Sequence, residues 1–272
     1  APGAPEARAL LIDEGGRADS TVWGFGGRLP AMSATFINSI AGAALDYDGV
    51  DCVHGAVVAL PAALALAERE HASGRDFLAA YVIGSDLCSR FGGVITGAHK
   101  GWYTTSIYGA FGAAATAAKL LGLNANATCD ALGICLSQAA GTQQPNIEQS
   151  LSKRLQPAFA ARAGVFAALL AQKGISAPRE AIEGRFGMFA LYQPGEPQRI
   201  VEDLGKTFLH ENTAIKKYPC CACTHASVEA TLGLVREYDL KPEDVTAIEV
   251  RHSPFRSEEH TSELQSRGLI SY

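Results

Sequence analysis

Between residues 31 and 173 the chain is a succession of apolar blocks dominated by Ala and Gly, each long enough for a helix and each closed by Gly, Asn, Asp or Pro. The blocks read as helices near 31–45, 55–71, 74–91, 104–121, 125–139 and 157–173. Ser73 before "GRDFLAAYVIGSDLCSRFGG" and Asn124 before "ANATCDALGICLSQAAG" are capping residues by type, and Gly174 is a stop after "AARAGVFAALLAQK". In "YGAFGAAATAAKLLGL" the small residues fall so densely that a helix presents an almost smooth surface, which a neighbouring backbone can approach closely. The expectation is helix-on-helix packing with helices buried nearly all round.

The pattern changes after residue 175. "SAPREAIEGRFGMFALYQPGEPQRI" is punctuated by Pro and Gly and reads as a short helix followed by a loop. "ASVEATLGLVREYDL" reads as a helix with Val228, Leu232 and Val235 on one side, and "VTAIEVRHS" as a strand. A strand with no partner after it cannot satisfy its backbone groups. The expected class is therefore mainly α: an all-helical domain over 1–210, incomplete at its N terminus, followed by the truncated start of an α/β domain over 211–255. Residues 256–272, with "RSEEHTSELQS", resemble one reading frame of a sequencing adapter and are set aside as a scar, a natural polar tail being the alternative.

A formal net charge of −5 argues against a nucleic-acid binder and against docking on an anionic membrane, so an anionic partner must be met by a local basic cluster. Seven cysteines without a signal-peptide pattern point to a reduced, cytoplasmic compartment. "AVVALPAALALAERE" is broken by Pro61 and ends in charge, so it does not reach membrane-spanning length.

Four clusters hold the chemistry. In "IKKYPCCACTH", residues 215–225, the short segment cannot easily wrap one tetrahedral zinc with Cys220, Cys221, Cys223 and His225. The C-x-x-C of Cys220 and Cys223 lacks the strand-then-helix setting of a redox motif, which leaves a small-residue turn as the main reading and metal and redox roles as alternatives. Pro219 favours extended backbone at Tyr218, which sends Lys216 and Lys217 to different sides. In "LDYDGVDCVHGAVVALP", Asp46, Asp48 and Asp51 crowd the end of one helix and His54 opens the next; an acidic loop without a role is the plain alternative. "GAHKGWYTTS" sets His99, Lys100, an aromatic pair and hydroxyls before the smooth helix. "SLSKRLQPAFAARAG" sets Lys153 and Arg154 ahead of a helix that Pro157 opens, beside N–H groups suited to a carboxylate.

These blocks, with "GRDFLAAYVIGSDLCSR" and "SKRLQPAFAARAGVFAALLAQKG", resemble the MmgE/PrpD family over about residues 20 to 255. That group includes 2-methylcitrate dehydratase, cis-aconitate decarboxylase and iminodisuccinate epimerase. The resemblance implies a cleft between a helical domain and a lid, a homodimer, no metal or organic cofactor, and a small di- or tricarboxylate as substrate. It maps Asp46, His54, Lys153 and Lys216 onto the family's acidic, histidine and lysine positions. Tyr103 in "GWYTT" stands where the family block "GFHPT" has histidine, and "HP" has become His54-Gly55.

The implied division of labour follows. Elimination, decarboxylation and epimerisation beside a carboxylate all develop negative charge, so Lys153, Lys216 and Arg154 are the expected carboxylate-binding cations. His54 is the expected general acid/base, with Asp46 to orient it or tune its pKa, Tyr103 as hydrogen-bond donor and His225 and Tyr218 in support. The expected activity is that of a cofactor-free dehydratase-type lyase on a substrate such as 2-methylcitrate. An epimerase or isomerase, a decarboxylase of a related acid in the same cleft, and an inactive truncated fragment are the alternatives.

Overall fold

The computed structural model describes residues 2–96 and 100–250. The class is mainly α, as the Ala/Gly-rich blocks require. Ten α-helices run through the described residues: α1 (Ala4–Glu14), α2 (Ala31–Ala43), α3 (Gly55–Arg69), α4 (Gly74–Gly93), α5 (Thr104–Leu120), α6 (Ala125–Leu136), α7 (Gln144–Ile147), α8 (Ser152–Gln172), α9 (Met188–Leu191) and α10 (His225–Tyr238). Helix α1 went unread, because its apolar residues do not gather on one face and two of them, Leu10 and Ile12, stay exposed.

Local signals set the helix ends. Ser73 Oγ accepts from the Asp76 N–H at 3.1 Å at the start of α4, and Asn124 Oδ1 accepts from Ala127 N–H at 3.0 Å at the start of α6. Gly174 ends α8 with φ +87°, a conformation that disfavours any residue with a Cβ. Pro157 does not open its helix, as expected from the sequence, but lies inside α8. The turn before it is held from outside: Gln156 Oε1 accepts from Thr142 N–H at 2.9 Å, and Gln156 Nε2 donates to Thr142 O at 3.0 Å. That tertiary pair offsets part of what the proline costs by forfeiting a helix hydrogen bond.

Helix α5 is the axis of the bundle, with α3, α4, α6 and α8 against it. Every residue from Thr105 to Ala118 is buried. A Cβ on Gly164 of α8 would stand 2.5 Å from both Ala110 O and Ala114 N of α5, so the backbones meet without a side chain between them. Phe91, Tyr108, Phe111 and Phe189 fill the widest part of the core with tilted and stacked rings.

Among the described residues, sheet is confined to two short antiparallel pairs: β1 (Ser20–Thr21) with β2 (Arg28–Leu29), and β3 (Gly49–Val50) with β4 (Ala214–Ile215). The second pair matters for the site, since Gly49 faces Ile215 and Val50 faces Ala214, tying the turn after α2 to a segment far along the chain. Buried Arg90 of α4 brings that segment back, its guanidinium donating to Ile200 O, Glu202 O and Thr207 O while paired with Asp86 at 2.6 Å. Asp86 in turn accepts from Leu209 N–H at 2.6 Å.

The expected strand at "VTAIEVRHS" is corrected. Residues 245–250 carry no strand, because no described segment lies beside them to complete a ladder. The continuation from 251, including the adapter-like tail, lies outside the described residues, as does His99.

Candidate active site

The turn between α2 and α3 reverses the chain at Asp46, whose φ of +50° puts it in the left-handed region that Asp tolerates better than most residues. Asp46 and Asp48 thereby face β4 and the start of α8. His54 directly precedes α3, and its backbone N–H donates to Thr105 Oγ1 at 3.1 Å, which locks the start of α3 to α5. At the far end of the chain, the β3–β4 pairing delivers Lys216 as the residue after β4.

Lys216 Nζ donates to Asp46 Oδ1 at 2.7 Å, to Asp46 O at 2.8 Å and to Asp48 Oδ1 at 3.0 Å. The other oxygen of Asp48 meets His54 Nδ1 at 2.6 Å, and Lys153 Nζ of α8 lies 4.0 Å from Asp46 Oδ2. Residues far apart in sequence, Asp46, Asp48, His54, Lys153 and Lys216, thus form one cluster. Burial pushes the Asp46 carboxyl up, but Lys153, the bonded Lys216 and His54 outweigh it and hold it below the usual carboxylate range. The same contest lowers Asp48, where the His54 hydrogen bond and charge and then Lys216 overcome burial. Burial acts to lower Lys216, yet its two carboxylate partners raise it. Both acids are ionised near neutral pH and the lysine is charged.

Asp48, not Asp46, bonds the imidazole, which corrects the expected pairing; Asp46 stands between the two lysines. An ionised Asp48 only accepts, so Nδ1 of His54 carries a proton toward it and Nε2 is the ring nitrogen left to exchange a proton with a ligand. Tyr103, the residue before α5, has its phenol pushed above the usual tyrosine range, mainly by burial and further by Asp46, Asp48 and Cys221, against an opposing hydrogen bond with Thr105. It stays protonated and suits hydrogen-bond donation, not proton abstraction.

Beside the cluster opens a cavity of about 390 Å³ whose wall includes Asp46, Lys153, Arg154, Asn146, Pro219 and Cys220. That volume lies within the range of small-molecule sites. Arg154 also donates to Pro2 O at 3.2 Å. The cavity has a cationic side from α8, while Lys216, only 1 % exposed, sits behind the carboxylates.

The two lysines of "IKKYPCCACTH" point apart as expected, Lys217 pairing with Glu229 on the surface. No disulfide joins any of the seven cysteines, all of which lie among the described residues, and Cys220 Sγ accepts from Thr224 Oγ1 at 3.2 Å within the turn. Tyr218 donates to Glu229 at 2.8 Å and His225 Nε2 meets Tyr218 O at 3.2 Å, so both hold the loop. Among the described residues, the one group spaced closely enough for a metal is Asp46, Asp48 and His54. The Lys216 ammonium already lies between its two carboxylates and supplies a positive charge there. No helix among the described residues is long and apolar enough to cross a membrane.

The chain has relatives among known proteins. The profile of the MmgE/PrpD N-terminal domain matches residues 1–200. A cis-aconitate decarboxylase-like protein of Aspergillus oryzae is 32 % identical over 258 residues, 87 % of this chain and 53 % of its own length. The cis-aconitate decarboxylase of Aspergillus terreus is 36 % identical over 237 residues, covering 80 % of this chain and 48 % of the fungal protein. The human cis-aconitate decarboxylase is 29 % identical over 265 residues, covering 89 % and 55 % respectively. The chain spans about half the length of the curated relatives it matches.

Proposed function

Because the chain belongs to the MmgE/PrpD family, we propose that its site serves a lyase acting on a small di- or tricarboxylate, with decarboxylation of a cis-aconitate-like acid as the reaction. The sequence alone ranked dehydration of 2-methylcitrate first. The relatives are named for cis-aconitate decarboxylation, which favours loss of CO2 over loss of water. The observation that carries the reading is the cavity of about 390 Å³ with Asp46, Lys153 and Arg154 on its wall, Asp46 being joined through Lys216 to the Asp48–His54 pair.

In such a reaction the carbon–carbon bond to one carboxylate breaks, CO2 leaves, and the electron pair stays on carbon, spread through the neighbouring double bond into a second carboxylate. A proton then joins carbon, leaving an unsaturated acid one carbon shorter. Lys153 and Arg154 bind the carboxylates and stabilise the developing charge, more strongly in the transition state than in the ground state. His54 acts as the imidazolium: it takes a proton from solvent on Nε2, delivers that proton to the carbanion carbon and is left as the neutral Nδ1–H form that Asp48 holds, while protonated Tyr103 donates a hydrogen bond to a substrate oxygen.

The test is incubation of the chain with cis-aconitate, 2-methylcitrate and an amino dicarboxylate in deuterated water. Release of CO2 with one deuterium in the product is the expected outcome. Water loss without CO2 would move the assignment to a dehydratase, and α-proton exchange without an unsaturated product to an epimerase. His54→Gln is expected to lower turnover about 10²–10⁴-fold; near-normal turnover would remove His54 from the proton transfer.

A further inference from the structure

The family resemblance and the charge of Lys216 both suggest a substrate-binding cation, but its surroundings differ from those of Lys153. The Lys153 side chain is 30 % exposed on the cavity side, and that of Lys216 is 1 % exposed. An ammonium has three N–H donors. All three of Lys216 are engaged, by Asp46 Oδ1 at 2.7 Å, Asp46 O at 2.8 Å and Asp48 Oδ1 at 3.0 Å. None is left over for a ligand carboxylate. What Lys216 does reach is the carboxylate whose second oxygen holds His54 Nδ1 at 2.6 Å.

We propose that Lys216 is a positioning residue, which acts through Asp48 to fix the orientation and the Nδ1–H tautomer of His54, and that substrate carboxylates are bound by α8 instead. The proposal deepens the functional reading and rests on it for the role of His54. Its physical basis is that a carboxylate 8 % exposed needs a partner on each oxygen to keep one rotamer and one charge state. Lys216 secures one oxygen, so the other stays aimed at the ring. Around His54 stand Asp46 and Asp48 from the acidic turn, Lys216 after β4, Lys153 from α8, and Tyr103 and Thr105 at the start of α5. Among these, Asp48 is the acceptor seen on Nδ1.

The deciding experiment records the 15N signals of His54 in the full chain, which distinguish Nδ1–H from Nε2–H, alongside titration with cis-aconitate. Wild type is expected to hold the Nδ1–H form. Lys216→Met should lose that preference yet bind cis-aconitate within about threefold of wild type, and Lys216→Arg should restore the tautomer. Lys153→Met should instead keep the tautomer and weaken binding about tenfold or more, the loss of one carboxylate contact. Persistence of the Nδ1–H form in Lys216→Met, or a loss of affinity matching that of Lys153→Met, overturns the proposal. If Lys216→Met does not fold because two buried carboxylates lose their counter-ion, Asp46→Asn combined with Lys216→Met keeps the cluster's net charge and is read by the same signals. Failure of wild type to bind cis-aconitate would count against the functional reading, and the tautomer signals would still decide on the relay.

Discussion

Asp46 and Asp48 are two acids in one turn with different tasks. Asp46 borders the cavity and sits between two lysines, whereas Asp48 turns its two oxygens to Lys216 and His54. Their crowding was legible in "LDYDGVDCVHG"; which acid met the histidine was not, because a single left-handed residue at Asp46 decides where each points. Lys216 likewise stood out by type, while its burial did not, since its partners lie 168 and 170 positions away. Both carboxyls titrate below their unfolded value of about 3.9. A depressed folded value means that the stabilisation is present above the unfolded value and disappears as pH falls through the folded one. The advantage in unfolding midpoint of wild type over Asp48→Asn should therefore be constant near neutrality and narrow below about pH 4. An advantage unchanged at pH 3 would mean that the charge of Asp48 does not stabilise the fold.

At the scale of elements, contact between α5 and α8 depends on missing side chains. Gly164→Ala would press a methyl against Ala110 O and Ala114 N, both backbone atoms at 2.5 Å that cannot turn aside. The expected destabilisation is about 1–3 kcal/mol, read from the denaturant midpoint. Gly233→Ala in α10 meets nothing within 4 Å and should stabilise by about 0.5–1 kcal/mol through helix propensity. If the two substitutions had equal effects, close backbone approach would not be what joins α5 to α8. This packing was readable in "YGAFGAAATAAKLLGL", and so were the caps at Ser73 and Asn124, because both follow from neighbours in sequence. The first turn of α8 was not, since Thr142 supports it from another segment.

Across the whole molecule, burial is uneven. Helix α5 is enclosed, while α10 has no buried residue and leaves Leu234, Val235 and Tyr238 exposed. Native-state hydrogen exchange should find the α5 and α8 amides protected far longer than those of α10; equal protection would require a cover for α10 that the described residues do not provide. The site straddles this gradient, with His54 and Tyr103 on the enclosed bundle and Lys216 on the strip that returns through Arg90 and β4. During synthesis the acidic turn leaves the ribosome 170 residues ahead of the ammonium that neutralises it. Translation proceeds from the N terminus and charged groups resist dehydration until they are paired. A nascent polypeptide ending before Lys216 would thus hold the sequence of α1 to α9 but keep this turn wet, and competence would arrive in one late step.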